Sequence, residues 1–331
     1  MSRIVRFHRL GGPEVLQIDE IDIGSPQAGE VKIRVRALGL NRAESLFRAD
    51  NYVAETPILP SKLGYEAAGE VVAVGASVTG FAIGDAVSTI PAFLMTKYGV
   101  YGDAAIVPVH YVTKHPAKLS WEEAAAIWMQ YLTAYGALVQ IGNVAKGDAV
   151  IITAASSSVG LAAIQIVNSL GGVSIATTRT SAKRDALLKA GAQHVVATEE
   201  QDLVKEVMDV TGGKGASIAF DPIAGPRVEV LAAAMAAGGT IFLYGYLDPA
   251  PTPFPLWTVF RKNLTQRTYG AELLNSDPAI LDRSKKFVID GLAAGTLKPV
   301  IAKTFPTLDK IVEAHRYMDS NQQVGKIIVT V

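Results

Sequence analysis

The chain has 331 residues, 49% of them hydrophobic, a length that accommodates about two domains with a sizeable core. Its 31 basic and 31 acidic side chains balance, so no whole-molecule field draws it to nucleic acid or to an anionic membrane surface. There is no cysteine, which excludes disulfides, thiolate nucleophiles and cysteine-containing metal sites.

The five histidines, His8, His110, His115, His194 and His315, are scattered without metal-ligand spacing, so no metal site is expected. No run of about 18 apolar residues predicts a membrane span, and the start, MSRIVRFHRLGG, lacks the apolar centre of a secretion signal. A cytoplasmic location is expected.

The first third reads as β structure. EVKIRVRALGL alternates apolar and charged residues, as a half-buried strand should. GEVVAVGASVTGFAIGDAVSTI reads as short Val-rich strands broken by Gly, Asp and Ser turns, and AAIVPVHYVTKHP adds another strand. From about Trp121 the composition turns helical, and Ser120 followed by Glu123 is a capping-box pattern.

Strands and helices then alternate. Strands are predicted at Val150–Thr153, Val173–Thr178, His194–Ala197, Ser217–Phe220 and Thr240–Tyr244. Helices are predicted at Val159–Leu170, Ala182–Ala190, Asp202–Val210 and Val228–Ala237, most of them closed by glycine. Such alternation means βαβ units and a parallel sheet. After about Asn263 the pattern loosens to a helix near Asp277–Ala294 and a final strand in GKIIVTV.

The first of these units carries the chemistry. IITAASSSVGLAAIQ (151–165) has the outline of a dinucleotide-binding turn, with Gly160 in the last glycine slot of G-x-G-x-x-G and small residues elsewhere. A phosphate there needs exposed backbone N–H groups, the positive end of a helix and no bulky side chain. Ala155, Ser156, Ser157, Ser158, Val159 and Gly160 meet those needs, although a plain βα turn would look the same.

The second strand favours the cofactor reading. Its end reads ATTRTSAKR, with no acid before Asp185 to accept from ribose hydroxyls. Thr178, Arg179, Thr180 and Lys183 suit a 2′-phosphate instead, which points to NADPH. The bland alternative is a solvated helix start with Ser181 as its cap, but basic residues are a poor choice at that end of a helix dipole.

Together these features resemble the medium-chain dehydrogenase/reductase superfamily, in particular its zinc-free quinone oxidoreductase (zeta-crystallin-like) branch. GYEAAGEVVAVGASVTGFAIGDAV (64–87) is similar to that superfamily's long signature, YLTAYGAL to the helix opening its cofactor domain, and FDPIAG and GGTIFLYG to the ends of its fourth and fifth cofactor strands. The resemblance implies an α/β architecture, a GroES-like β domain plus a Rossmann doubly wound parallel-sheet domain. Residues 1–124, completed by 268–331, would form the first, and 125–267 the second. Two departures stand out: Tyr65 replaces the histidine of the zinc branch's GHE motif, and Ala154 and Ser157 replace glycines of the cofactor loop.

The resemblance also assigns roles. Asn41, Glu44 and Tyr52 match a segment of zinc-free reductases, with Asn41 orienting the nicotinamide side and Tyr52 donating a hydrogen bond or proton to the substrate. Thr133 matches a threonine near the nicotinamide, Gly245 and Tyr246 follow the fifth strand, and Lys326 would reach phosphate. Trp128, Tyr131, Trp257 and Phe260 are candidates for the pocket wall, with core packing as the plainer role of each. The implied function is NADPH-dependent, zinc-independent reduction of small-molecule quinones or α,β-unsaturated carbonyls by a homodimer. The alternatives are a 2-enoyl thioester reductase and a weakly catalytic, crystallin-like NADPH-binding protein.

Overall fold

The computed structural model describes residues 1–270, 274 and 277–331. The chain divides into two compact units, Met1–Met129 with Pro299–Val331, and Gln130–Lys298. The C-terminal return, expected from residue 268, therefore falls at Pro299 in this division, because the helix Pro278–Ala294 groups with the second unit. Residues 271–273, 275 and 276 of the expected return lie outside the described residues.

The first unit is built on strands β1 (Ser2–Phe7), β2 (Leu16–Ile21), β3 (Glu30–Gly39), β4 (Ser61–Lys62), β5 (Glu66–Val74), β6 (Ala86–Thr89), β7 (Ala104–Pro108) and β8 (Val112–Lys114). β3 alternates as its sequence demands: Val31, Ile33 and Val35 are buried while Arg34 is exposed. β3 pairs antiparallel with both β5 and β7, and β2-β1-β4 forms a separate three-stranded sheet. The core gathers Val5, Phe7, Ile33, Phe47, Leu63 and Tyr101, all at most 1% exposed.

The second unit holds β9 (Ala149–Ile152), β10 (Val173–Thr178), β11 (His194–Ala197), β12 (Ala216–Asp221), β13 (Met235–Leu243) and β14 (Thr265–Thr268). They form one sheet in the order β11-β10-β9-β12-β13-β14, every neighbouring pair parallel. This is the Rossmann doubly wound order, and it reverses at β9, which pairs with β10 on one side and β12 on the other. The first unit is completed by β15 (Ile301–Phe305) and β16 (Lys326–Thr330), the latter antiparallel to β3.

Two predicted helices are interrupted. The run from Trp121 divides into Trp121–Ala124, Trp128–Tyr135 and a π-helical turn, Gly136–Ile141. The break has a cause inside the first unit: the Glu66 carboxylate accepts from the backbone N–H groups of Trp128 and Met129, both at 2.9 Å, and starts a new helix there. The Ala-rich helix expected to Ala237 ends at Ala234. Met235 pairs with Ala216 and is already strand, so sheet pairing overrides the helical preference of alanine.

Candidate functional site

In the second unit, the serine-rich loop leaves β9 at the point where the strand order reverses. Thr153 is the first residue after the strand and Ser157 is the N-cap of the helix Ser158–Ser169. Ser157 Oγ accepts from the Gly160 N–H at 3.0 Å, so this hydroxyl is tied to capping the helix. Its φ of −70° needs no glycine. Ala154 is the reverse case: its φ is +46°, the left-handed conformation that glycine adopts freely. Gly160 is demanded by packing, because a Cβ there would lie 2.6 Å from Ala155 Cα and 2.7 Å from Ala155 O. Ala155 is fully buried, while Ser156, Ser158 and Val159 are half-buried.

The end of β10 comes to the same loop. Thr178 is the last strand residue, Arg179 and Thr180 are exposed, and Lys183 Nζ donates to Ser156 Oγ at 3.2 Å. Burial, reinforced by the nearby Arg179 guanidinium, pushes the Lys183 ammonium below the usual lysine range. Ser181 is not the cap that the sequence offered. Thr180 precedes the turn, and the Ser181 N–H and hydroxyl both donate to Glu200 Oε1, at 2.9 and 3.3 Å. Glu200 follows β11, well beyond the 20-residue spacing that marks a ribose-binding acid, so the spacing does not point to it.

Beyond β13, Gly245 lies against the loop after β12, where a Cβ would meet Pro222 O at 2.7 Å. Tyr246 is half-buried beside it. Thr153 donates to the buried Asp221 carboxylate, which also accepts from the Ala224 N–H at 2.7 Å. Burial, opposed by these bonds, raises the Asp221 pKa. Thr133 is 7% exposed in the helix Trp128–Tyr135.

The first unit holds a second polar cluster, fully enclosed. Asn41 precedes the helix Arg42–Arg48, and its backbone N–H donates to Glu44 Oε2. Its Nδ2 donates to Glu66 Oε2 at 3.1 Å, and its Oδ1 accepts from Lys326 Nζ at 2.6 Å. Lys326 Nζ is also ion-paired with Glu66. This corrects the reading of Lys326: it is 1% exposed and anchored to Asn41 and Glu66, not presented to a phosphate. Burial pushes the Glu44 carboxyl up to about 7, against the opposing pull of Lys326 and of hydrogen bonds from Asn41 and Tyr65.

Tyr52 is half-buried in the loop after that helix, edge-on to Tyr65 with ring centroids 6.4 Å apart. The pocket-wall candidates divide. Trp128 and Tyr131 are fully buried, their polar tips bonded to Ser88 and Gln165, whereas Trp257 and Phe260 are 74% and 79% exposed. Glu66, which the sequence reading left without a role, stands inside the quoted signature 64–87, and its acid was the available signal.

Comparison with known proteins agrees with this architecture. The family described as "Alcohol dehydrogenase GroES-like domain" matches residues 27–117, and the family described as "Zinc-binding dehydrogenase" matches residues 158–277. A human quinone oxidoreductase is 31% identical, over 99% of this chain and 98% of its own. A 2-haloacrylate reductase of a Burkholderia species is 29% identical, over 98% and 97%. The Escherichia coli quinone oxidoreductase, solved as a complex with NADPH, superposes with a TM-score of 0.91 at 28% identity, covering both chains completely. The chain thus belongs to the quinone oxidoreductase branch of the medium-chain dehydrogenase/reductase superfamily and is an oxidoreductase.

Proposed function

We propose that this protein is a zinc-independent reductase that uses NADPH to reduce quinones or α,β-unsaturated carbonyl compounds, and that it acts in the cytoplasm. The observation that carries the cofactor assignment is the Lys183 Nζ–Ser156 Oγ bond, which brings a cation from the end of β10 onto the loop at a helix N-terminus. Arg179 adds a second positive charge beside it. The donor set fits a phosphorylated dinucleotide: Ser156, Ser158 and the N–H groups of the first helical turn face the pyrophosphate, and Arg179, Thr180 and Lys183 hold the 2′-phosphate. The complex of the E. coli relative with NADPH supports this choice.

When bound, the cofactor supplies a hydride. Tyr52 provides the substrate oxygen with a hydrogen bond as negative charge develops on it, and Thr133 orients the nicotinamide. Asn41, its side-chain amide taken up by Glu66 and Lys326, supports the helix that precedes Tyr52 instead of meeting the cofactor. The residues do not fit a catalytic zinc. Tyr65 stands at the histidine position, the chain has no cysteine, and the Glu66 carboxylate is taken up by Lys326, Asn41 and two backbone N–H groups. A substrate that is already electrophilic answers that lack of a Lewis acid, and the 2-haloacrylate reductase relative supports an activated alkene.

A homodimer is proposed through β14, the last strand of its sheet among the described residues. Phe254, Leu256, Trp257 and Phe260, between 57% and 79% exposed, lie on the segment just before that strand. Among the described residues no helix is long and apolar enough to cross a membrane. Light scattering of the wild type and of Trp257→Glu/Phe260→Glu tests the dimer, which the double variant should dissociate.

The cofactor and reaction are tested together by fluorescence titration with NADPH and NADH, followed by turnover with benzoquinone and methyl vinyl ketone. NADPH binding about tenfold or more tighter than NADH, a difference of ~1.4 kcal/mol, with consumption of NADPH, is the expected result. Equal affinities would remove the 2′-phosphate assignment. Binding without consumption would favour a cofactor-binding protein over a reductase.

A further inference from the structure

Tyr65 is fixed at its backbone and at its ring. Its backbone N–H donates to Glu44 Oε1 at 3.2 Å, and its carbonyl accepts from Thr89 Oγ1 at 2.8 Å. The residue before it, Gly64, has a φ of +99°, and the Tyr101 ring sits where a Cβ would be, 2.0 Å from the nearest ring carbon. The Tyr65 side chain is 6% exposed and packs on Phe93 at 5.7 Å, which packs in turn on Tyr98 and Tyr111.

Tyr52 lies in a loop without helix or strand, and its ring meets the Tyr65 ring at 6.4 Å and 65°. The two hydroxyls share a hydrogen bond. Burial foremost, and then Tyr52, raise the Tyr65 pKa. With the one Tyr52 proton directed at the substrate oxygen, the shared bond takes its proton from Tyr65. A phenol that accepts a hydrogen bond becomes a stronger donor itself, because charge developing on its oxygen is stabilised.

We propose that Tyr65, at the position of the zinc branch's metal-binding histidine, is a positioning residue that fixes the Tyr52 ring and strengthens its hydroxyl toward the substrate oxygen. This rests on Tyr52 being the substrate's hydrogen-bond donor. The GYE segment then serves substrate activation by a chain of hydroxyls, anchored through Glu44 to the same cluster that holds Asn41.

The test is a double-mutant cycle of Tyr65→Phe and Tyr52→Phe, read as kcat and KM for methyl vinyl ketone, with NADPH affinity and thermal melting as controls. Tyr65→Phe keeps the ring and its packing. It should lower kcat by on the order of fivefold, the worth of one hydrogen bond, with NADPH affinity unchanged. In the Tyr52→Phe background it should have no further effect. The same loss in both backgrounds would mean that Tyr65 does not act through Tyr52. A slow Tyr52→Phe beside an unaffected Tyr65→Phe would leave Tyr52 in place and remove Tyr65. An unaffected Tyr52→Phe would remove both. Tyr65→His, which returns a ring donor, should turn over faster than Tyr65→Phe; a rate at or below that variant's would exclude the hydrogen-bonding role.

Discussion

Lys326 and Glu66 form an ion pair at the heart of the first unit, with 0% and 1% of their side chains exposed. They are 260 residues apart and join β16 to β5. Both ions are otherwise satisfied: Asn41 bonds to each, and Glu66 also receives the N–H groups of Trp128 and Met129. Breaking such a pair from one side leaves a buried charge without compensation. Lys326→Met should therefore cost about 3–5 kcal/mol, measured by urea unfolding, and Lys326→Met/Glu66→Gln should recover part of that loss. A single-variant loss below about 1 kcal/mol would mean that water reaches the pair.

Glu44 gives the same cluster a pH dependence. Two carboxylates share one ammonium, and Lys326 pairs with Glu66, so burial leaves Glu44 protonated up to about 7. The folded state then holds a proton that the unfolded chain releases near the ordinary glutamate value of about 4.3. Its contribution to stability is complete below that value, declines as pH rises through the window, and is gone above about 7. Glu44→Gln removes the titration. Urea midpoints measured across this window should fall less steeply for the variant than for the wild type, and parallel curves would refute the assignment.

What was legible in the sequence follows from where the signal was local. Val173–Thr178 and His194–Ala197 stand at the predicted bounds because apolar runs ended by turn residues define them without help from the rest of the chain. β14 was invisible: Thr-Gln-Arg-Thr at a sheet edge buries no face and shows no period. Met235 was assigned to a helix because its partner, Ala216, is distant in sequence. In the sites, Lys183 and Ser156 could be read as a pair of neighbouring βα turns, and Asn41, Glu44 and Tyr52 through a spacing that resembles the family's. Lys326 was misread because nothing near a glycine-lysine step announces a buried carboxylate 260 residues away.

Ala154 stores strain that glycine would release. At a φ of +46° its Cβ crowds the neighbouring carbonyl, at a cost of roughly 1–2 kcal/mol. The greater freedom of glycine in the unfolded chain offsets part of this. Ala154→Gly should still raise the melting temperature, by on the order of one degree in scanning calorimetry. A lower melting temperature would show that the methyl group contributes packing that outweighs the strain.

Lys183 and Arg179 should account for the choice of cofactor. Each presents positive charge at the end of β10, and only NADPH carries the phosphate that would meet it. Lys183→Gln and Arg179→Gln should each weaken NADPH by about tenfold or more, or ~1.4 kcal/mol, while NADH affinity stays constant. Because burial and Arg179 lower the Lys183 pKa, its charge is lost earlier than that of an ordinary lysine as pH rises. NADPH affinity should accordingly decline toward the alkaline end, NADH affinity should not, and the decline should be absent in Lys183→Gln. Equal weakening of both cofactors would instead mean that Lys183 supports the loop through Ser156, with the 2′-phosphate held elsewhere.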